Sequence, residues 1–351
     1  MRWKAPQFAV LTIVLSLSCS GCGSFMARRM AQAPNTYPTW FAPQARVYLE
    51  FGSRVLSRFP EHFASVGPPD ARLCYRIIEP GDYRLKMTST NWLEGEHERF
   101  KFSFNAVVPE SQPTPSKPIR GTVLVLHGYG LEQAVMLPWA LRLAEDGWRA
   151  VLVDLRGHGK SNGRRIYFGL QEAHDLSQLL DQLPQVDGPS ASVAVIGESY
   201  GAALALRWKS VEPRVRGVVA IAPYSELLPA VLNIRREYAK WMPTALVKAG
   251  YRKLPSVLKV EPGELDTSTV LSRNRVNALF IAGARDAIAP VEVVTRLERQ
   301  AASPSELIVV PHATHEALPY YFSALAQPVL DWLDGSAPAV TGQLTPRNPG
   351  L

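Results

Sequence analysis

The string Gly197-Glu198-Ser199-Tyr200-Gly201 sets a hydroxyl between two glycines. It follows the apolar run Ser192-Val193-Ala194-Val195-Ile196 and precedes a stretch rich in Ala and Leu. A serine at a sharp strand-to-helix turn projects its Oγ above the strand ends. Gly197 and Gly201 allow the close backbone approach such a turn needs, and the N–H groups opening the helix point toward developing negative charge. That is the equipment of nucleophilic acyl transfer, which also needs a base for the serine proton and a group to orient the base. A bare G-x-S-x-G pattern arises by chance in many chains, but here the strand, turn and helix signals accompany it. Candidate partners lie downstream, each after an apolar run: Asp286 in Gly283-Ala284-Arg285-Asp286, and His312 and His315 in Pro311-His312-Ala313-Thr314-His315-Glu316. As bare residues they have plainer readings: Asp286 as the cap of a helix beginning near Pro290, and His312 as a loop histidine. No cluster has metal-ligand spacing, and the chemistry needs no metal and no cofactor.

These groups need a scaffold that brings distant loops together. The runs Thr122–Leu126, Ala150–Val153, Ser192–Ile196, Gly217–Ile221, Ala278–Ala282 and Leu307–Val310 are continuously apolar, as strands buried on both faces are. Helical stretches near 137–145, 170–183, 202–210, 291–299 and 320–333 alternate with them, which predicts right-handed βαβ crossovers and a parallel sheet. Upstream, the texture from Leu73 to Val108 is β-like, with Arg99-Phe100-Lys101-Phe102-Ser103-Phe104 alternating as a half-buried strand does. Val47, Phe51, Val55 and Phe59 repeat every four residues after Pro43, which predicts a helix with one apolar face.

With these residues in view, the chain resembles the α/β-hydrolases, closest to the branch of monoglyceride lipases, lysophospholipases, serine aminopeptidases and related esterases. The likeness covers about 121–333. It implies an α/β-hydrolase fold, a mostly parallel central sheet flanked by helices with a helical lid insertion. By resemblance, His127-Gly128-Tyr129-Gly130 is the oxyanion loop, with the backbone N–H of Tyr129 as one donor and that of Tyr200 as the other. Losing one such donor costs about 10²–10³-fold in rate. By the same resemblance Asp286 is the triad acid and His315, followed by Glu316, the base; the order Ser, Asp, His agrees. Asp154-Leu155-Arg156-Gly157-His158-Gly159-Lys160-Ser161 matches a turn with a structural role, and His158 is not assigned to catalysis. Ser199 excludes the branches that use an aspartate nucleophile.

The lid is placed at about 224–266. Between residues 235 and 259 of it, Arg235, Arg236, Lys240, Lys248, Arg252, Lys253 and Lys259 face only Glu237, among Tyr238, Trp241, Met242, Leu246, Val247, Tyr251 and Leu254. Such a cap suits a lipid-like ester, a monoacylglycerol or lysophospholipid, near an anionic surface; an ordinary solvated basic face over an apolar packing face has the same composition. Thioester or amide cleavage by the same triad, or a non-catalytic envelope lipoprotein with this fold, are the alternatives.

The N-terminus supplies a location. Arg2 and Lys4, the short apolar run Phe8–Leu17 and the small residues after it have the order of an export signal. Leu17-Ser18-Cys19-Ser20-Gly21-Cys22-Gly23-Ser24 resembles a bacterial lipoprotein signal, with Cys22 as the lipidated residue; Cys19 occupies a place where that family usually has an aliphatic residue. The resulting organisation is a signal over 1–21, a membrane tether and N-terminal helix over 22–66, a hydrolase domain over 67–334 and a tail over 335–351. The resemblance implies an exported, lipid-anchored protein of the bacterial envelope and, with Gly23 rather than Asp after Cys22, the periplasmic side of the outer membrane; an ordinary cleaved signal with incidental cysteines is the alternative. Cys74 is then left alone, as a buried small hydrophobe and not a disulfide partner. The net charge of +7, without zinc-finger spacing or a basic zipper, does not single out nucleic acid.

Overall fold

The computed structural model describes residues 21–36, 47–51, 53–94, 97–108, 119–184 and 192–336. The signal (1–21) and the tail (335–351) therefore lie outside the described residues, apart from their inner ends. Residues 22–66, read from the sequence as a tether and helix, are built differently. Helix α1, over residues 21–30, packs on the body of the protein with Gly23 and Ala27 buried. The predicted helix after Pro43 is instead strand β1 (Val47–Phe51), a four-residue helix α2 (Ser53–Leu56) and strand β2 (His62–Val66). The reason lies in the spacing: residues i and i+4 share a face in a strand as well as in a helix. Val-Tyr-Leu-Glu-Phe is rich in residues that favour strands, and it finds a partner.

That partner comes from the β-like stretch that follows. Strand β3 (Ala71–Ile78) pairs antiparallel with β2, whereas β4 (Lys86–Glu94) and β5 (His97–Asn105) leave the main sheet. They form a three-stranded sheet of order β1-β5-β4, with β1 parallel to β5 and Val47 opposite Phe100. Phe102 of β5 packs its ring 5.0 Å from that of Tyr320, so the small sheet buttresses the loop that carries His315.

The remaining strands are β6 (Thr122–Leu126), β7 (Arg149–Val153), β8 (Val193–Glu198), β9 (Val215–Ile221), β10 (Leu279–Gly283) and β11 (Glu306–Val310). With β3 and β2 they build an eight-stranded sheet of order β11-β10-β9-β8-β6-β7-β3-β2. The six from β11 to β7 run parallel; β3 runs antiparallel to β7, and β2 antiparallel to β3. Every residue of β6, β7, β8 and β10 is buried, which is why these strands read as unbroken apolar runs. Helices α3 (Leu137–Glu145), α4 (Leu170–Gln182) and α5 (Tyr200–Val211) follow β6, β7 and β8. After β9 the alternation is interrupted by α6 (Leu227–Tyr238), α7 (Thr244–Leu258) and α8 (Thr267–Arg273), and α9 (Val291–Gln300) and α10 (Phe322–Ser336) complete the fold. The inserted helices leave and return at one neck: Thr267 N–H donates to Ser225 O (2.7 Å) and Leu227 N–H to Asp266 Oδ1 (2.8 Å). Among the described residues no helix is long and apolar enough to cross a membrane.

Candidate active site

Ser199 stands between β8 and α5 with φ 51° and ψ −108°, a conformation that costs a non-glycine residue free energy and persists only when its surroundings impose it. The surroundings are explicit. Ser199 N–H donates to Ile221 O of neighbouring β9 (2.8 Å), and Ser199 O accepts from Ala202 N (3.1 Å) and Ala203 N (3.0 Å). Both flanking glycines are sterically required. A Cβ on Gly197 would lie 2.2 Å from Gly201 O, and one on Gly201 would lie 2.7 Å from Leu126 O and His127 O. The turn is therefore pressed against the end of β6, where Leu126 pairs with Gly197.

The parallel sheet brings the loops after β6, β8, β10 and β11 to one edge. Asp286 follows β10 and is buried; its Oδ1 accepts from Ile288 N (2.8 Å) and Ala289 N (2.7 Å). His315 follows β11, with Nδ1 2.7 Å from Asp286 Oδ2 and Nε2 2.9 Å from Ser199 Oγ. An ionised carboxylate only accepts, so Nδ1 carries the proton and Nε2 is left as acceptor for the serine hydroxyl. Burial alone would push the imidazole pKa down; the charge of Asp286, the hydrogen bond to it and the charge of Glu198 together outweigh burial, and the net shift is upward. His312, two positions into the same loop, is exposed with φ 62° and stands outside this chain of hydrogen bonds.

Tyr129 and Tyr200 lie beside Ser199. Tyr200 is the first residue of α5, whose opening N–H groups have no carbonyl within the helix. Tyr129 sits in the loop after β6, its ring 6.3 Å from that of Tyr200. The loop after β7 is structural, as its sequence suggests. Asp154 Oδ1 accepts from Gln133 N (2.7 Å) and its Oδ2 from Lys160 N (2.9 Å). Arg156 Nε and Nη2 donate to the two oxygens of Asp175 at 2.6 and 2.7 Å. His158 is buried and held near pKa 3, chiefly by burial, and Nδ1 donates to Arg156 O (2.9 Å). Cys74 is buried, with its thiol pushed up by burial first and by Asp154 second. Among the described residues no group of three or more His, Cys, Asp or Glu is placed to hold a metal ion.

One group escaped the sequence reading. Glu198, directly before Ser199, is 4% exposed, and its Oε2 finds no hydrogen-bond partner among the described residues. Burial, opposed by His315 and reinforced by Glu316 and Asp286, pushes its pKa up to about 7. The signal was present: an ionisable residue at the end of an otherwise apolar strand, next to a nucleophile, is where perturbed groups gather.

Comparison with known proteins agrees with this architecture. Residues 117–278 match the family described as "Serine aminopeptidase, S33". Protein YqkD of Bacillus subtilis is 23% identical over 199 residues, 55% of this chain and 64% of its own length. A Mycobacterium tuberculosis protein is 27% identical over 194 residues, 55% of this chain and 62% of its own. The chain thus spans less than two thirds of either curated relative. The Pf2001 esterase of Pyrococcus furiosus superposes with a TM-score of 0.56 at 21% identity, over 85% of this chain and 100% of the esterase. At that identity the likeness speaks for the fold.

Proposed function

We propose that this chain, which has the α/β-hydrolase fold, cleaves carboxylic esters through an acyl-enzyme on Ser199. The observation that carries this reading is the unbroken chain Ser199 Oγ, His315 Nε2, His315 Nδ1, Asp286 Oδ2, with contacts of 2.9 and 2.7 Å. Oγ attacks the ester carbonyl carbon while Nε2 takes its proton, and Asp286 stabilises the imidazolium that forms. The backbone N–H groups of Tyr129 and Tyr200 receive the oxyanion. Collapse expels the alcohol, protonated by His315, and a water activated by the same imidazole releases the acid. The Pf2001 esterase of Pyrococcus furiosus, similar in fold, is an esterase by name, and the same class of reaction is proposed for this chain.

The insertion α6–α8 is the cap of this site. Asn233 Nδ2 of α6 donates to Ile288 O (3.0 Å), in the loop that carries Asp286. Its apolar and basic residues favour a lipid-like acyl ester, a monoacylglycerol or lysophospholipid. Cys22, exposed in α1, is the lipid attachment point of a protein exported to the bacterial envelope, facing the periplasm from the outer membrane. Amide cleavage is the second reading, favoured by the aminopeptidase description of the matched family. The test is labelling of full-length protein in detergent by a fluorophosphonate, beside Ser199→Ala, followed by ester, thioester and aminoacyl-amide substrates of graded chain length. Labelling that survives Ser199→Ala refutes the nucleophile, and faster cleavage of short than of long acyl esters refutes the lipid preference.

A further inference from the structure

Helices α1 and α7 meet where each carries glycine. A Cβ on Gly23 would lie 3.2 Å from Ala249 O, and one on Gly250 would lie 2.4 Å from Met26 Cγ and 3.2 Å from Met30 Sδ. Met26 and Met30 of α1 seat their side chains against Gly250 of α7, where any Cβ would collide with Met26. The segment after α1 is fixed to the body of the fold: Ile166 N–H donates to Ala31 O (2.9 Å), Ala33 N–H to Arg164 O (3.3 Å) and Asn35 Nδ2 to Ser161 O (2.8 Å). The chain leaving Cys22 is thus packed on the inserted helices at one end and bonded to the loop after β7 at the other.

The solvent sides of these elements have a composition of their own. Phe25 of α1 is 65% exposed, and Trp241, in the turn between α6 and α7, is 72% exposed. Lys240, Lys248 and Arg252 of the insertion are exposed, as is Arg28 of α1. Between residues 235 and 259 the basic side chains face one acid, Glu237. Cations alone describe any solvated face. Cations with large aromatic rings left in water describe a lipid interface, where the rings enter the headgroup layer and the cations meet its negative surface potential.

We propose that α1 and the α6–α7 insertion form one docking face for a membrane of anionic phospholipid, with Trp241 and Phe25 in the headgroup layer and Lys240, Lys248 and Arg252 against lipid phosphates. The inference rests on reading the insertion as a cap over an ester site, since it sets that cap at the surface from which a lipid substrate arrives. An acidic protein partner would satisfy the cations but not account for the two rings.

The test uses full-length protein with vesicles whose acyl chains carry bromine, made of phosphatidylcholine with or without phosphatidylglycerol, and reads quenching of tryptophan fluorescence. The parent is expected to be quenched more strongly when phosphatidylglycerol is present. Trp241→Phe removes most of that quenching, and Lys248→Glu with Arg252→Glu lowers it severalfold. Equal quenching in the parent and Trp241→Phe, or quenching indifferent to lipid charge, overturns the proposal. Turnover of a water-soluble ester separates this from the proposed activity. Ser199→Ala is expected to keep the quenching and lose the turnover, so failure of the docking proposal is distinguishable from failure of the proposed activity.

Discussion

Replacing Asp286 by Asn tests the assignment of the base through its tautomer. In the parent, Oδ1 accepts from two backbone amides, Ile288 N and Ala289 N, and Oδ2 accepts from His315 Nδ1. An asparagine has one oxygen and one NH₂ to put in those places. Two N–H donors converge on the Oδ1 position, so the oxygen must stay there and the NH₂ must face His315. The imidazole then has to accept at Nδ1 and carry its proton on Nε2, toward Ser199 Oγ, where it has no lone pair for the serine proton. A triad histidine in the wrong tautomer costs about 10⁴-fold in rate, roughly 5 kcal/mol of transition-state stabilisation. Both backbone amides keep their acceptor, so stability should change little. The assay is kcat/KM on a nitrophenyl ester, with thermal unfolding in parallel. Activity within about tenfold of the parent in a folded Asp286→Asn protein would refute the reasoning, because an orienting acid that can be neutralised so cheaply is not orienting the base.

Three further outcomes follow from the same geometry. Gly201→Ala puts a methyl 2.7 Å from two carbonyl oxygens; overpacking of this kind costs about 1–3 kcal/mol, so thermal unfolding should fall by roughly 2–12 °C, with loss of turnover because the elbow moves. Arg156→Met leaves the Asp175 charge without its guanidinium partner at a site where the two side chains are 2% and 1% exposed; urea unfolding should show a loss of about 3–5 kcal/mol, largely recovered when Asp175 is also made Leu. The third concerns pH. His315 acts as a base only when neutral, and its pKa is raised, so activity should fall as pH drops through a value above the ordinary imidazole range. Glu198 adds to that rise, so Glu198→Gln should move the acid limb of kcat/KM to lower pH and remove an ionisation near pH 7; an unmoved limb would show that Glu198 does not reach His315.

Much of this was legible in the chain. Strands β6, β7, β8 and β10 are buried on both faces, and a strand with no solvated face has few polar residues to interrupt its pattern, so their runs announce themselves. The elbow was legible because Gly197 and Gly201 are there for steric reasons that only glycine satisfies. Ser199 could be named because it follows such a strand between two glycines; Asp286 and His315 could be named through the resemblance to the α/β-hydrolases. What the chain could not decide is which segments meet. The four-residue spacing from Val47 to Phe59 fits a helix and a strand equally, and the partner that chose the strand, β5, lies about fifty residues away. The departure of β4 and β5 from the main sheet is likewise a matter of pairing, as is the packing of α1 on α7 where a tether was expected. The protonation state of Glu198 belongs to the same class: a carboxyl next to a nucleophile has no fixed pKa until the fold closes His315, Glu316 and Asp286 around it and removes the water. Local pattern determined the elements and the chemistry they carry, because burial and sterics act residue by residue. Contacts between distant segments, and the electric field they create, exist only once the chain has folded.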